Sequence, residues 1–102
     1  MNEPSYLNSM CIKVYANYND SDRLNDLPID LITKRSDDFL GIREANITVI
    51  AWENQLEIGA ALALRKNVIT VGSGDMKIHP LLTILPSWEM VYWYIRNAAL
   101  RR

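Results

Sequence analysis

Two short runs of apolar, largely β-branched residues constrain the fold of this chain more than any other feature. The runs are ITVIAW at 47–52 and NVITVG at 67–72, and the Ala/Leu-rich segment LEIGAALALRK lies between them at 56–66. Near-continuous apolar strands are typical of parallel sheets, in which both faces of a strand are buried. Parallel strands need a crossover connection, which is usually a helix. The sequence therefore predicts a strand–helix–strand unit.

The other predicted elements extend this unit in both directions. Strands are predicted at 12–15, 29–33 and 81–85, a one- or two-turn helix at about 20–27, and longer helices after the candidate N-caps Ser36 and Ser87. Strands and helices that alternate in this way indicate a parallel sheet with helices on both faces. The first connection is short for a crossover between parallel strands, so its helix is expected to be small.

Length and composition favour a single domain and exclude several classes of protein. The chain has 102 residues, a net charge of −1 and one cysteine. The charge argues against a nucleic-acid polymer as partner, and no apolar run is long enough to span a membrane. Residues 1–10 lack a signal-peptide pattern and are predicted to form an arm before a domain at 11–102. The lone cysteine suits a reducing compartment, so we expect a cytoplasmic protein.

The loops that follow the predicted strands contain most of the carboxylates outside the terminal helix. These carboxylates are Asp20, Asp22, Asp37, Asp38, Glu53, Glu57 and Asp75. Ligands of open α/β sheets bind beyond the carboxyl ends of the strands, where these loops would meet. A rim rich in carboxylates suits carboxylate chemistry or hydrogen bonding to sugar hydroxyls and base amines. No Cys/His cluster is present, so we predict neither a metal site nor a cofactor.

Glu57 allows two interpretations. A glutamate in the first turn of a helix is favoured by the helix dipole and can simply be solvated. Alternatively, a carboxylate held at the sheet edge and backed by Leu56 and Ile58 could attack an anomeric carbon and form a glycosyl-enzyme ester. The local pattern alone leaves both interpretations open.

The block DFLGIREANITVIAW, followed by LEIGAALALRKNVITVG, resembles the nucleoside 2-deoxyribosyltransferase family. Members of that family have an Asp with Gly-Ile three and four residues later, then a buried strand and a Glu-x-Gly-x-Ala helix. The matching residues are Asp38, Gly41, Ile42, Glu57, Gly59 and Ala61. KVYANY and SWEMVYWYI are similar to the first strand and last helix of the family. The resemblance covers roughly residues 12–96, and its specific part is 38–72.

The resemblance implies a fold, a reaction and three principal residues. The fold is α/β, a flavodoxin/Rossmann-like three-layer sandwich with a mostly parallel sheet of four to five strands. The reaction takes place at the N-glycosidic bond of 2′-deoxynucleosides or their monophosphates, either as deoxyribosyl transfer between bases or as hydrolysis. Glu57 matches the nucleophile, Tyr15 the tyrosine that touches it, and Asp38 a carboxylate that contacts the base.

The resemblance also assigns four further candidate substrate-binding residues. Gly59 is implied to let its helix lie close to the sheet. Glu53 is the nearest candidate in the sequence for the family's second loop aspartate. Asn54 lies near the nucleophile, where the phosphohydrolase branch has a serine for a 5′-phosphate, and Asn17 falls where the first-strand motif has Gly-Pro. Asn46 replaces an aspartate of most members. These departures favour the alternative of a non-catalytic module that binds or sequesters a nucleotide.

Four aromatic residues crowd the predicted terminal helix, and they bear on partners. They are Trp88, Tyr92, Trp93 and Tyr94. One helix stripe cannot bury all of them, so some form a subunit interface or cover loops of the same chain. The partners we expect are a small-molecule nucleoside or nucleotide and further copies of the chain, in a dimer or larger homo-oligomer.

Overall fold

The computed structural model describes residues 11–33, 38–72 and 79–101, which contain a five-stranded sheet. The strands are β1 (Lys13–Asn17), β2 (Asp30–Thr33), β3 (Ile47–Ile50), β4 (Asn67–Val71) and β5 (Leu82–Leu85). All neighbouring pairs are parallel, in the order β2-β1-β3-β4-β5. The predicted parallel α/β sandwich is confirmed, including the last short strand. The predicted arm at 1–10 and the candidate cap Ser36 lie outside the described residues.

Within the described residues, one 3-10 helix and three α-helices cover the sheet. They are the 3-10 helix Ser21–Asp26, α1 (Asp38–Glu44), α2 (Gln55–Ala63) and α3 (Trp88–Leu100). The connection from β1 to β2 is made by the 3-10 helix, whose Leu24 is fully buried. A 3-10 helix rises more per residue than an α-helix and is used in short pieces, so it suits this short connection. No helix of the described ranges is long and apolar enough to cross a membrane.

Alternation along the strands divides the core into two layers. One layer contains Val14, Ala16, Val49 and Ile69 of the sheet with Leu24, Val91 and Ile95 of the 3-10 helix and α3. The other contains Tyr15, Ile50 and Val68 of the sheet with Ile42, Ile58 and Ala61 of α1 and α2. Successive strand residues point to opposite faces, so every central strand needs apolar residues at consecutive positions. The near-continuous apolar runs therefore have a direct structural explanation.

Gly59 does not let α2 approach the sheet, so the role implied by the family resemblance is wrong. The residue is exposed, and a Cβ added there would meet no atom within 4 Å. The closely packed glycine is Gly41 of α1. A Cβ at this position would lie 3.0 Å from both Ile32 Cγ2 and Tyr15 Cδ1. Helix α1 can therefore lie against the Tyr15 ring because residue 41 has no side chain.

The aromatic residues of α3 divide into two pairs. Trp88 stacks on Tyr18 with ring centroids 4.0 Å apart, and Tyr92 is partly buried against the core. Trp93 and Tyr94 are each 44% exposed. Two aromatics thus cover parts of their own chain, as one of the two interpretations expected, and two face solvent. The predicted cap Ser87 is confirmed, because its Oγ accepts a hydrogen bond from the Met90 N–H.

Tyr18 is expected to make stability fall at high pH. Burial, followed by the charge of Asp20, raises the pKa of Tyr18 from 10.0 to about 12. A raised pKa means that the neutral phenol is favoured in the folded state. The stabilisation is complete below pH 10 and is lost as the pH rises from 10 to about 12. Denaturant unfolding across this window should show the loss in the wild type, while Tyr18→Phe should remove that component. Equal pH dependence in both proteins would contradict the prediction.

Candidate functional site

The carboxyl ends of β1 and β3 form the frame of the candidate site. Strand β1 lies between β2 and β3. The chain passes from β1 to β2 on one side of β1 and then crosses to β3 on the other side. In a sheet of this order the crevice between β1 and β3 is the topological switch point, where α/β proteins bind ligands. Tyr15 and Asn17 lie in the last three residues of β1. Because they are two residues apart, both side chains lie on the face covered by α1 and α2.

Glu57 projects into this frame from the first turn of α2. Its side chain is only 7% exposed. Glu57 Oε1 accepts hydrogen bonds from Tyr15 Oη at 3.1 Å and from Asn17 Nδ2 at 2.8 Å. Burial of a carboxylate is costly unless hydrogen-bond donors compensate, and the positive end of the helix dipole adds to this compensation. The interpretation of Glu57 as a solvated first-turn residue is therefore wrong.

The turn before α2 fixes the position of the glutamate. The Asn54 N–H donates to the Ala51 carbonyl at 2.9 Å, and the Asn54 carbonyl accepts from the Glu57 and Ile58 N–H groups. The Asn54 carboxamide does not cap the helix. It lies 3.5 Å from the Asn17 carbonyl, which also accepts from the Ala51 N–H at 3.0 Å. Strand β1 and the start of α2 are thus joined at Asn17.

The structure brings four of the predicted site residues together. Tyr15, Asn17, Asn54 and Glu57 form one hydrogen-bonded group. The remaining candidates are Glu53, Asp38 and Gly59. Of these, Glu53 is exposed in the turn before α2, Asp38 is the first residue of α1, and Gly59 faces away from the sheet. The Asp38 side chain lies outside the described part of the structure.

Asn46 is remote from the glutamate. It precedes β3 and therefore lies at the amino edge of the sheet, opposite to the edge that holds Glu57. Its Oδ1 accepts a hydrogen bond from the Lys13 N–H at 2.8 Å. An aspartate could accept the same bond, so asparagine at this position does not alter the site.

The direct bond from Asn17 to Glu57 was missed by the sequence analysis, which assigned Asn17 to the substrate. The available signal was the two-residue spacing between Tyr15 and Asn17, which places both on one face of a strand. His79, the one histidine of the chain, does not join this group. Its Nδ1 accepts from the Leu81 N–H at 3.1 Å, in the turn before β5. Within the described ranges no group of three or more His, Cys, Asp or Glu residues could hold a metal ion.

Replacement of Thr70 in β4 by an apolar residue of the same shape is expected to stabilise the folded protein. Its hydroxyl is buried and has no hydrogen-bond partner in the structure. An unsatisfied buried hydroxyl carries a desolvation penalty, so Thr70→Val should raise the free energy of unfolding by about 1 kcal/mol. Thr48→Val is the matched control, because buried Thr48 donates to the Asn67 carbonyl at 3.0 Å. This variant should lose stability in the same denaturation assay. A similar loss for Thr70→Val would contradict the prediction.

Comparison with protein-family models, curated proteins and solved structures finds no match for this chain. The resemblance to nucleoside 2-deoxyribosyltransferases therefore remains a hypothesis that depends on the residues of block 38–72. Parallel α/β folds support many unrelated functions, so the fold does not choose among them. The function has to be argued from the chemistry of the Glu57 site.

Proposed function

We propose that this chain acts on the N-glycosidic bond of 2′-deoxynucleosides or their monophosphates, with Glu57 as nucleophile. The observation that carries the proposal is a buried carboxylate at the β1/β3 switch point, held by Tyr15 and Asn17. Ligand sites are concave and place a few convergent polar groups among apolar ones, so a buried, hydrogen-bonded carboxylate in such a crevice is a candidate functional group. The resemblance of block 38–72 supplies the choice of substrate class.

The chemistry proceeds in two displacements at C1′ of the sugar. A carboxylate oxygen of Glu57 attacks C1′, and the bond from C1′ to the base nitrogen breaks with its electron pair on the base, which takes up a proton. A glycosyl ester of Glu57 remains. A second base or a water then attacks C1′ and gives up a proton, and the ester bond breaks with its electron pair on the oxygen, which regenerates the carboxylate. Transferase and hydrolase differ only in which of these two nucleophiles reaches the ester.

Tyr15 and Asn17 act on the glutamate rather than on the sugar in this proposal. Both donate to Glu57 Oε1, so they fix the carboxylate on the helix-facing side of β1. A nucleophile held in one orientation avoids part of the entropic barrier to attack. Asp38 is assigned to the base, which it would orient or protonate. The exposed Glu53 and the carboxamide of Asn54 lie beside the glutamate in sequence and are assigned to sugar or base contacts.

A second candidate is a non-catalytic module that binds or sequesters a nucleotide. It is favoured by the same geometry, because Glu57 Oε1 already accepts two hydrogen bonds and the side chain is only 7% exposed. A carboxylate tied in this way could organise the pocket without attacking the ligand. The two candidates share a binding site and differ in whether the C1′–N bond breaks.

Incubation of the protein with mixed deoxynucleosides and deoxynucleotides, followed by chromatography, tests the proposal. Exchanged nucleosides would identify a transferase, and free base without exchange would identify a hydrolase. Intact nucleotide that stays bound to the protein for hours would favour the binding module. Absence of both base release and exchange across the panel would overturn the catalytic proposal.

A further inference from the structure

Trp52 lies beside the candidate site, just beyond the carboxyl end of β3. It directly follows Ala51, whose N–H donates to the Asn17 carbonyl at 3.0 Å. Asn17 also donates to Glu57, so Trp52 is one residue along the chain from the group that holds the glutamate. The Asn54 N–H donates to the Ala51 carbonyl at 2.9 Å, which closes a four-residue turn with Trp52 as its second residue. The turn thus fixes the Trp52 backbone at the switch point.

The Trp52 side chain lies on the face of the sheet that holds Glu57. It packs against the core layer that contains Tyr15, Ile50 and Ile58, and it is only partly buried there. Tyr15 of the same layer donates to Glu57. One part of the indole therefore contacts the core, and the remainder is accessible at the carboxyl edge of the sheet.

The accessible part of Trp52 is not engaged by the described part of the chain. Its indole N–H makes no hydrogen bond there, and no aromatic ring or guanidinium of those residues packs on it. By contrast, Trp93 donates to Glu89, and Trp88 stacks on Tyr18. Tryptophan combines a large apolar body with one polar N–H that normally finds a partner when buried. Trp52 therefore offers a ring and an N–H donor to a ligand.

The other aromatic residues near this edge are unsuitable as a surface for a ligand of the Glu57 site. Tyr15 is fully buried. Tyr18 packs against the core layer on the opposite face of the sheet. Phe39 lines a groove between α1 and α2 that contains none of the site residues. Among the described residues, Trp52 is therefore the accessible aromatic side chain on the Glu57 face at the carboxyl edge.

We propose that Trp52 is the surface on which the heterocyclic base of the ligand stacks. The inference rests on the proposed function, because it takes the ligand to be a nucleoside or nucleotide, and it applies to both the catalytic and the binding-only candidate. Every base has a π-face, so stacking on an aromatic ring adds affinity with little preference among bases. Trp52 and Glu57 border the same crevice, so a nucleoside whose base lies on Trp52 can direct its C1′ towards Glu57.

Equilibrium dialysis of the four common deoxynucleosides against the Glu57→Gln variant tests this surface, because the ligand then stays intact. Trp52→Leu, added to this variant, keeps an apolar side chain against the core and lacks an aromatic face. It should raise the dissociation constant about tenfold or more, by a similar factor for each deoxynucleoside that binds. Trp52→Phe retains a ring and should stay within about threefold of the parent. Trp93→Leu, on α3, is the matched control and should leave binding unchanged.

The outcomes separate this inference from the catalytic proposal. Failure of both the wild type and Glu57→Gln to bind any of the four deoxynucleosides would overturn the inference. Equal effects of Trp52→Leu and Trp52→Phe would also overturn it, even if the wild type releases base. Binding that depends on the ring at position 52, without base release by the wild type, would support the inference and contradict the catalytic proposal. Circular dichroism checks that each variant is folded.

Tryptophan fluorescence measures the contact directly. The chain has three tryptophans, so Trp88→Phe combined with Trp93→Phe leaves Trp52 as the sole indole. A deoxynucleoside should quench its emission saturably, over the same concentrations as in the dialysis. In the Trp52→Phe variant, which retains the other two tryptophans, the emission should stay unchanged. Equal quenching in the two proteins would overturn the inference, whatever the base-release assay shows.

Discussion

Replacement of Glu57 by glutamine is expected to reduce base release and base exchange by about ten-thousandfold or more. The carboxamide has nearly the shape of the carboxylate, and its oxygen can still accept from Tyr15 and Asn17. It lacks the negative charge needed to attack C1′ and form an ester. The expected result is therefore a folded protein that binds its substrate and does not cleave it. Initial rates measured by chromatography of the free base give the reduction.

Glu44→Gln is a matched control for this variant. Glu44 is an exposed carboxylate at the end of α1, on the amino side of the sheet. The control loses the same charge at a distance from the switch point, so its rates should equal those of the wild type. If Glu57→Gln retained wild-type rates, another group would be the nucleophile. Equal losses in both variants would indicate a general effect of charge.

Gly41→Ala is expected to lower the free energy of unfolding by about 1–3 kcal/mol, because the added methyl group overpacks a full site. Its Cβ would lie 3.0 Å from the ring of Tyr15, which is fully buried. Either α1 or the ring must move. Movement of the ring would lengthen the hydrogen bond from Tyr15 to Glu57, so activity should fall together with stability. Denaturant unfolding and the base-release assay measure the two effects.

Gly59→Ala provides the comparison within the same motif. Its added methyl group meets no atom within 4 Å, and alanine is favoured over glycine inside a helix. Stability should therefore stay the same or rise by up to about 1 kcal/mol. A larger loss for Gly59→Ala than for Gly41→Ala would show that the packing of α1 and α2 on the sheet is described incorrectly.

The positions of the strands and the burial of their two faces could be predicted because the signal is strong and local. The runs that became β3 and β4 are apolar at consecutive positions, and only a strand covered on both faces needs this pattern. The shortness of the first connection likewise predicted a small helix, found as Ser21–Asp26. β3 ends at Ile50, earlier than the apolar run, because the Ala51 N–H donates to Asn17 and the chain then turns.

The features that the sequence did not reveal depend on which face of an element each residue occupies. Gly41 and Gly59 look equivalent in the motif, but one lies under a tyrosine ring and the other faces solvent. The bond from Asn17 to Glu57 joins residues 40 positions apart and required the packing of α2 on β1. The exposure of Leu56 has the same origin, because Glu57 takes the inward position on the first turn of α2.

The central claim is that the Glu57 carboxylate forms a covalent bond to the sugar. The direct measurement is intact mass spectrometry of the protein after rapid acid quench during turnover of a deoxynucleoside, followed by peptide mapping. We predict a protein mass increased by one deoxyribosyl group, located on Glu57 and absent from the Glu57→Gln variant. Base release with an unmodified protein, or an adduct on a peptide without Glu57, would contradict the claim.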